Sequence, residues 1–492
     1  MTHRVLAVIV VFIAVFSLDL KRPTDIDFWW HVRTGEIILK TGSVPTTDLF
    51  SYTASGQPWV VHEWLWELAM ALITRYGGYA TAALLSAAVV VFTYAILYRL
   101  LRNLGANELL SISAVLWAAA LALPNLGVRP RELTLLFMAA YLSSLLRYRE
   151  GRPAHLWMLP VLMVLWVNIH GAFALGLALL ALVITSETFV WLRGDRPAPR
   201  SLWWCGAATV AAAAVNPAGP RMLLYPFGYY FKNTNPSFAV VTEFQSPNFH
   251  EPMSLVFAAG VLVFMGLGVR RGARAAFGDA LLAGVFTLQA LVSTRQISMS
   301  ALVLAPVLVL ALCDRFRWAR ELPPSRLPRG FLIVNWLLLV VLVLSGVAFA
   351  TRPKTAKLMQ LGWEPKPSDM PVEGARFIEA HDLPGPIFNA QGWGGYLIYR
   401  WYPNRPVFID GRIDMYGPQI VNDYTQVANL QANWRDVLHK YDVRTVLMPT
   451  ESALASVLRG DGEWERVFQG EIEEVYVRKQ RLAGDDSVAD PR

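Results

Sequence analysis

Long apolar runs recur along the first 350 residues of the chain and then stop. A helix that crosses a membrane needs about 17–25 mostly apolar residues, and about eleven runs approach or reach that length. We place them near 4–20, 79–100, 107–124, 132–147, 156–169, 171–192, 202–217, 253–269, 279–293, 297–313 and 330–350. This pattern predicts a polytopic α-helical membrane protein with a polar tail.

The loops between these runs alternate in charge. One set is rich in arginine, with Arg99 and Arg102, then Arg147 and Arg149, as its first members. Arginine-rich loops stay in the cytoplasm, so we expect the N-terminus inside and the other loops outside, at 21–78, 125–131 and 216–252. With about eleven spans, the tail also lies outside.

Composition agrees with this interpretation. The chain is 54% hydrophobic and only 16% charged, whereas soluble domains carry about 25% charged residues. The net charge of +7 follows from the cytoplasmic arginines, which contact anionic membrane lipids. We therefore expect no nucleic-acid partner.

The first outer loop, 21–78, holds two segments with helical spacing. "FWWHVRTGEIILK" at 28–40 and "HEWLWELAMALITRYGG" at 62–78 are separated by a turn-rich stretch at 41–59. Both segments are amphipathic, and amphipathic helices with tryptophans lie at the membrane interface. We expect Trp29 and Trp30 at headgroup depth.

Two carboxylates, Asp25 and Asp27, precede the first of these segments. A carboxylate at this position can act as a general base or as a metal ligand. It can equally cap the following helix. Asp25, Asp27 and His31, with His62 and Glu63 further along, leave a divalent cation as an open alternative, and the sequence establishes no cofactor.

Polar residues at other outer positions are candidates for binding a substrate. Arg129 and Arg131 lie in an outer loop, and Arg295 lies in a short outer turn. Each can bind a phosphate or extend to the lipid headgroups. Asn168 and His170 end the fifth apolar run, where they form either a site or a helix break with satisfied side chains.

Residues 351–480 have the pattern of a small α/β domain. Strands are predicted at "PIFNA", "PVFIDGR" and "RTVLMP", helices at "VEGARFIEAH" and "WRDVLHKYDV", and a closing hairpin at "WERVFQGEIEEVYVRK". Ligands bind at the carboxyl ends of parallel strands, which singles out Trp393, Asp410 and Arg412. The alternative for "DGR" is a tight turn with a structural ion pair. Residues 481–492 are expected to be disordered.

The acidic motif "DID" at 25–27, the two helical segments of the first loop and the outer tail together resemble the GT-C superfamily of integral-membrane glycosyltransferases. The stretch from Asp25 to Leu65 is similar to a widespread set of bacterial membrane proteins. The resemblance implies two "jaw" helices in the first loop and a catalytic carboxylate at its start. It also implies a sugar donor linked to polyprenyl phosphate, and a location in the bacterial inner membrane.

The first functional hypothesis is therefore sugar transfer from a polyprenyl phosphate to an acceptor outside the cytoplasm, which could be a lipid, a glycan or a protein. In this hypothesis Asp25 or Asp27 is the general base. Two alternatives remain open at this point. One is a transporter or flippase for a lipid-linked glycan, and the other is a non-catalytic scaffold of an envelope complex.

Overall fold

A computed structural model describes residues 3–20, 25–226, 242–267, 273–320 and 369–479, together with 333, 334, 336, 337 and 340. The span predicted at 330–350 lies almost wholly outside the described residues, as does the tail at 481–492. The described residues fall into two compact units. The helical unit comprises those within 1–23, 62–232 and 238–362, and the loop–sheet unit comprises those within 24–61, 233–237 and 363–492.

The helical unit is built from apolar helices. Their bounds are α1 His3–Asp19, α3 Trp64–Asn103, α4 Glu108–Ala122, α5 Pro130–Arg149, α6 Met158–Ile169, α7 Ala174–Leu192, α8 Arg200–Ala212, α9 Pro252–Leu267, α10 Ala273–Val292 and α11 Ile297–Arg315. Within the described residues, four helical stretches are long and apolar enough to cross a membrane: Trp64–Asn103, Glu108–Asn125, Gly171–Leu192 and Thr294–Arg315. The chain is thus a multi-pass membrane protein.

Small residues let these helices approach closely. Ala82, Ala83, Ala87 and Val90 of α3 are almost fully buried. Small side chains favour helix packing in membranes: lipid gives apolar faces no hydrophobic gain on association, so close van der Waals contact between helices must supply the attraction. The stretch Thr294–Arg315, which contains α11, is the most enclosed of the candidate spans, with 89% of its most apolar part buried.

The α3 helix contains a break at Gly78, where φ is 71° and ψ is 179°. This backbone conformation is almost restricted to glycine. The break separates Trp64–Gly77 from the long apolar part that follows, which agrees with the predicted boundary between 62–78 and 79–100.

The loop–sheet unit combines the first loop with the tail. Its loop contributes α2, Phe28–Thr41. Its four-stranded sheet has the order β1-β2-β4-β3, with β1 Ile387–Asn389, β2 Thr445–Pro449, β3 Trp464–Gln469 and β4 Glu473–Arg478. The β1 and β2 strands are parallel and the other pairs antiparallel. Its other helices are α12 Val372–Ala380, α13 Gly394–Trp401, α14 Ile413–Ala428, α15 Trp434–Lys440 and α16 Ala453–Leu458.

The predicted strand at 406–412 is wrong. Val407, Phe408 and Ile409 are fully buried, but they form no strand of the sheet. The backbone of Val407 instead exchanges hydrogen bonds with the first loop, accepting from Tyr52 and donating to Phe50. The side chain of Asn389 bonds the backbone of 408 and 409. The buried extended segment therefore satisfies these backbone hydrogen-bonding groups without pairing with a strand of the sheet.

The tryptophans of α2 are buried in protein. Trp29 and Trp30 are 3% and 7% exposed. Trp29 lies edge-on to Tyr396 of α13, with 5.7 Å between ring centroids. Both rings are thus enclosed by protein, and Tyr396 and Tyr399 of the tail are aromatic partners of Trp29.

Candidate functional site

Two arginines of the helical unit converge on one carboxylate. Arg131, at the start of α5, contacts Glu243 through Nη2 at 3.0 Å, and Arg295 contacts the same Glu243 oxygen through Nη1 at 3.1 Å. Arg131 also donates to the side chain of Asn125. Arg131 is buried, whereas the side chains of Arg295 and Glu243 are 25% and 33% exposed. The cluster is therefore open on one side.

The electrostatic field at this cluster is positive. Burial works to raise the pKa of Glu243, but the guanidinium groups of Arg131 and Arg295 hold that pKa below its usual range. Arg129 acts in the same direction with a smaller effect. Three guanidinium groups thus act on one carboxylate, and such an arrangement binds anions.

A histidine and a glutamate lie beside the arginines. Nε2 of His170 is 3.7 Å from Oε1 of Glu63, and Nε2 of His62 is 3.5 Å from the same oxygen. Burial lowers the pKa of His170 to about 3; Glu63 opposes this shift, and the positive charges of Arg295 and Arg131 add to it. His170 is therefore neutral at physiological pH.

Hydrogen bonding sets the tautomer of His170. The hydroxyl of Thr134 lies 2.7 Å from Nδ1 of His170 and accepts from the indole N–H of Trp166 at 2.9 Å. The hydroxyl proton of Thr134 can be donated to Nδ1, and the ring proton then lies on Nε2. The N–H group of His170 consequently faces Glu63.

Asn168 links the end of α6 to the start of α3. Its Oδ1 accepts from the indole of Trp64 at 2.6 Å, and its Nδ2 donates to the backbone carbonyl groups of Val164 and Val215. All its strong bonds go to protein, which matches the helix-break alternative. Asn168 thus fixes the start of α3, where Glu63 is located.

In the loop–sheet unit, Asp25 and Asp27 form a close acidic pair at the start of α2. Oδ1 of Asp25 accepts from the backbone N–H of Asp27 at 3.1 Å, and Oδ1 of Asp27 accepts from the indole N–H of Trp30 at 3.0 Å. Asp27 is the N-cap residue of α2, but its carboxylate makes no capping bond to the helix backbone. The capping alternative does not account for the Asp27 side chain.

Asp27 lies against the backbone of the tail. A Cβ atom at Gly411 would overlap the Asp27 carboxylate, so glycine is required for this close approach. Burial first, and then the charge of Asp25, raise the pKa of Asp27 to about 7. His31 stacks on Trp30 and partly opposes this shift. A carboxyl group with a pKa near 7 is suited to proton transfer.

Asp410 and Arg412 are engaged in an internal ion cluster. Arg412 binds Asp410 at 2.7 Å and Asp48 of the first loop at 2.8 Å. Its guanidinium carbon lies 4.4 Å from the ring centroid of Trp59. Both residues of "DGR" are buried, which fits the structural ion pair. Trp393 is also buried, and it ends a turn directly before α13.

The described residues contain no group of three or more His, Cys, Asp or Glu side chains arranged to hold a metal ion. The divalent cation left open by the sequence gains no support from them.

Several polar groups were missed by the sequence analysis. Glu243 lies in a loop where its sequence neighbours give no signal, and only its two arginine partners in the structure reveal it. The hydroxyl of Ser86 contacts the carboxyl groups of both Asp19 and Glu132, in the interior of the helical unit. Arg149, which the sequence placed in a cytoplasmic loop, pairs with Glu187 and Asp279. For Glu187 and Asp279, the available signal was an acidic residue inside a predicted apolar run.

Comparison with solved structures identifies the fold, whereas comparison of sequences does not. No protein-family model and no curated protein matches the sequence. The chain is similar in structure to the archaeal oligosaccharyltransferase AglB from Archaeoglobus fulgidus in complex with an inhibitory peptide and a dolichol-phosphate. That match has a TM-score of 0.56 at 12% identity, and covers 90% of this chain and 69% of that one.

Two further structures agree. An Archaeoglobus fulgidus oligosaccharyltransferase tethered to an acceptor peptide gives a TM-score of 0.52 at 13% identity, covering 90% of this chain and 69% of that one. The arabinofuranosyltransferase AftD from Mycobacteria gives 0.51 at 17% identity, covering 97% of this chain and 42% of that one. The fold is therefore the GT-C fold, as the resemblance in the first loop predicted.

Proposed function

We propose that this protein is a membrane glycosyltransferase that moves a sugar from a polyprenyl phosphate to an acceptor outside the cytoplasm. The observation that carries the proposal is the convergence of Arg131 and Arg295 on one carboxylate in a GT-C fold. Two guanidinium groups that share an anion can equally hold a phosphate, and can stabilise the charge that develops on it as it leaves.

The fold neighbours support the choice of substrate. AglB is described in complex with a dolichol-phosphate, which is a polyprenyl phosphate, and with a peptide. We extend to this chain only the general chemistry, a lipid-linked sugar and an acceptor with a nucleophilic group. The acceptor is a lipid, a glycan or a protein.

The reaction requires a base for the acceptor. The acceptor oxygen attacks the anomeric carbon, its proton passes to a carboxylate, and the phosphate leaves with the electrons of the broken C–O bond. We assign the base to Asp27, because its pKa near 7 leaves it able to accept a proton at physiological pH. Asp25 would raise the basicity of Asp27 through its negative charge.

We also propose the location that the arginine pattern suggests. The chain crosses the inner membrane of a bacterium about eleven times, with the N-terminus in the cytoplasm. The loop–sheet unit lies on the outer side, where a lipid-linked sugar and an envelope acceptor are both present.

A transfer assay tests the proposal. Cell membranes that contain the wild-type protein or Arg295→Gln are incubated with polyprenyl phosphates carrying a labelled sugar, and label in non-donor products is measured. Loss of the Arg295 guanidinium, a charged hydrogen-bond donor to the leaving phosphate, should reduce transfer by about 10²–10³-fold. Equal transfer by both proteins, at equal protein abundance, would contradict the assignment of a phosphate site at the arginine cluster.

A further inference from the structure

The anion site at Arg131 and Arg295 already contains an anion. Glu243 places one oxygen at 3.0 Å from Arg131 and 3.1 Å from Arg295. Its second oxygen lies 3.3 Å from both terminal nitrogens of Arg131. A carboxylate bound by two nitrogens of one guanidinium group and by a second arginine uses the same donors that a phosphate would use.

Glu243 is more exposed than either arginine of the cluster and lies in a short turn. The turn Thr242–Phe244 and the residue after it are attached to the segment before α11 by hydrogen bonds that involve no charge. Ser293 donates to the carbonyl oxygen of Glu243 at 3.0 Å, and the N–H of Thr294 donates to the carbonyl oxygen of Gln245 at 2.9 Å. Arg295 also lies 5.0 Å from the ring centroid of Phe244.

The charges of the cluster favour an exchange. Arg131 is 6% exposed, so it needs an anionic partner at all times. Glu243 supplies that partner with a single negative charge, whereas three guanidinium groups act on the position. A phosphate monoester has a greater charge and three acceptor oxygens, so it can replace the carboxylate and leave no arginine unpaired.

We propose that Glu243 is a resident competitor, which occupies the phosphate site of this protein and must be displaced when a polyprenyl phosphate binds. The inference rests on the proposed function for the identity of the phosphate. The carboxylate keeps Arg131 paired in the empty site. It also lowers the affinity for every phosphate ligand by the fraction of time that it occupies the arginines.

This role predicts the opposite sign from that of a substrate contact. Glu243→Gln retains the shape of the side chain but removes the competing charge. A resident competitor then gives tighter phosphate binding, whereas a residue that only supports the site gives weaker binding or no change.

The experiment measures the affinity of farnesyl phosphate for the purified full-length protein in detergent, by titration calorimetry at fixed ionic strength. We expect Glu243→Gln to bind about tenfold more tightly than wild type, and Arg295→Gln to lose binding. The matched control is Glu251→Gln, an exposed acid in the same loop, which should bind like wild type.

A second variant covers the case in which Glu243→Gln does not fold. Ser293→Ala removes the bond to the carbonyl of Glu243 and leaves every charge in place, so it should loosen the turn and tighten binding by a few-fold. Weaker or unchanged binding by Glu243→Gln overturns the proposal. If that variant is unfolded, unchanged binding by Ser293→Ala overturns it.

The two proposals fail separately. Sugar transfer that depends on Arg295 without tighter binding by Glu243→Gln overturns only the competitor. Tighter binding of farnesyl phosphate by Glu243→Gln in a protein that transfers no sugar supports the competitor and overturns the glycosyltransferase.

Discussion

At the scale of single residues, the environment of Asp27 differs from that of an ordinary surface acid. It accepts from the Trp30 indole, adjoins the backbone of Gly411 and lies beside Asp25. The sequence identified the acid, because it follows the first apolar run. It could not identify Gly411 as a neighbour, since 384 positions separate the two in the chain.

The pH dependence of transfer follows from this environment. Burial raises the pKa of Asp27 to about 7, and a general base acts only when it is deprotonated. The rate of transfer should therefore rise with pH from about 6 to about 8 and then level off. A single-turnover rate that is flat across this range would show that Asp27 is not the base.

The same shift predicts a gain of stability from the neutral substitution. The unfolded chain loses the Asp27 proton near its ordinary pKa of 3.8, whereas the folded chain keeps it to about 7. The free energy of unfolding therefore falls as the pH rises through this window. Asp27→Asn should raise the unfolding temperature at pH 8 while it abolishes transfer.

The control for that variant is Asp436→Asn, an exposed acid of the same unit, whose effect on stability should stay within about 0.5 kcal/mol. A lower unfolding temperature for Asp27→Asn would mean that the carboxylate stabilises the fold, and that its position serves structure.

At the scale of elements, hydrophobic periodicity predicted the position of most helices and strands of the loop–sheet unit. It located α2, α12, α15, β2 and the β3–β4 hairpin. It failed at 406–412, where a buried apolar run looks like a strand but bonds to the first loop and to Asn389. Burial and strand formation give the same sequence pattern, so periodicity cannot separate them.

The break in α3 provides a prediction at this scale. Gly78 has a backbone conformation with φ of 71° and ψ of 179°, and a side chain there costs about 1–3 kcal/mol. Gly78→Ala should lower the unfolding temperature of the detergent-solubilised protein. Gly284→Ala is the matched control, since a Cβ at 284 in α10 meets no atom within 4 Å and alanine favours a helix. Equal effects of the two changes would argue that α3 tolerates a continuous helix.

At the scale of the whole molecule, the first loop and the tail form one compact unit. Apolar patterning predicted a membrane protein, and the resemblance in the first loop predicted the GT-C fold. Neither predicted that the loop would contribute buried residues to the unit that contains the sheet. That association depends on side chains distant in sequence, such as Asp48 and Arg412, which no local pattern connects.

Arg412 should be essential for this unit. It is buried, binds Asp48 and Asp410, and contacts the ring of Trp59. Removing one partner of a buried ion cluster costs about 3–5 kcal/mol, so Arg412→Gln should make the unit sensitive to limited proteolysis. Arg435→Gln breaks an ion pair whose arginine is 50% exposed, and should cost at most about 1 kcal/mol. Equal resistance of the two variants to protease would contradict the role of Arg412.

The most direct test of the account compares cells that contain the wild-type protein with cells that contain Asp27→Asn, by mass spectrometry of their envelope glycans and lipids. We predict that one sugar modification disappears in the Asp27→Asn cells, while the protein remains inserted and equally abundant. An unchanged envelope at equal protein abundance would contradict the glycosyltransferase account.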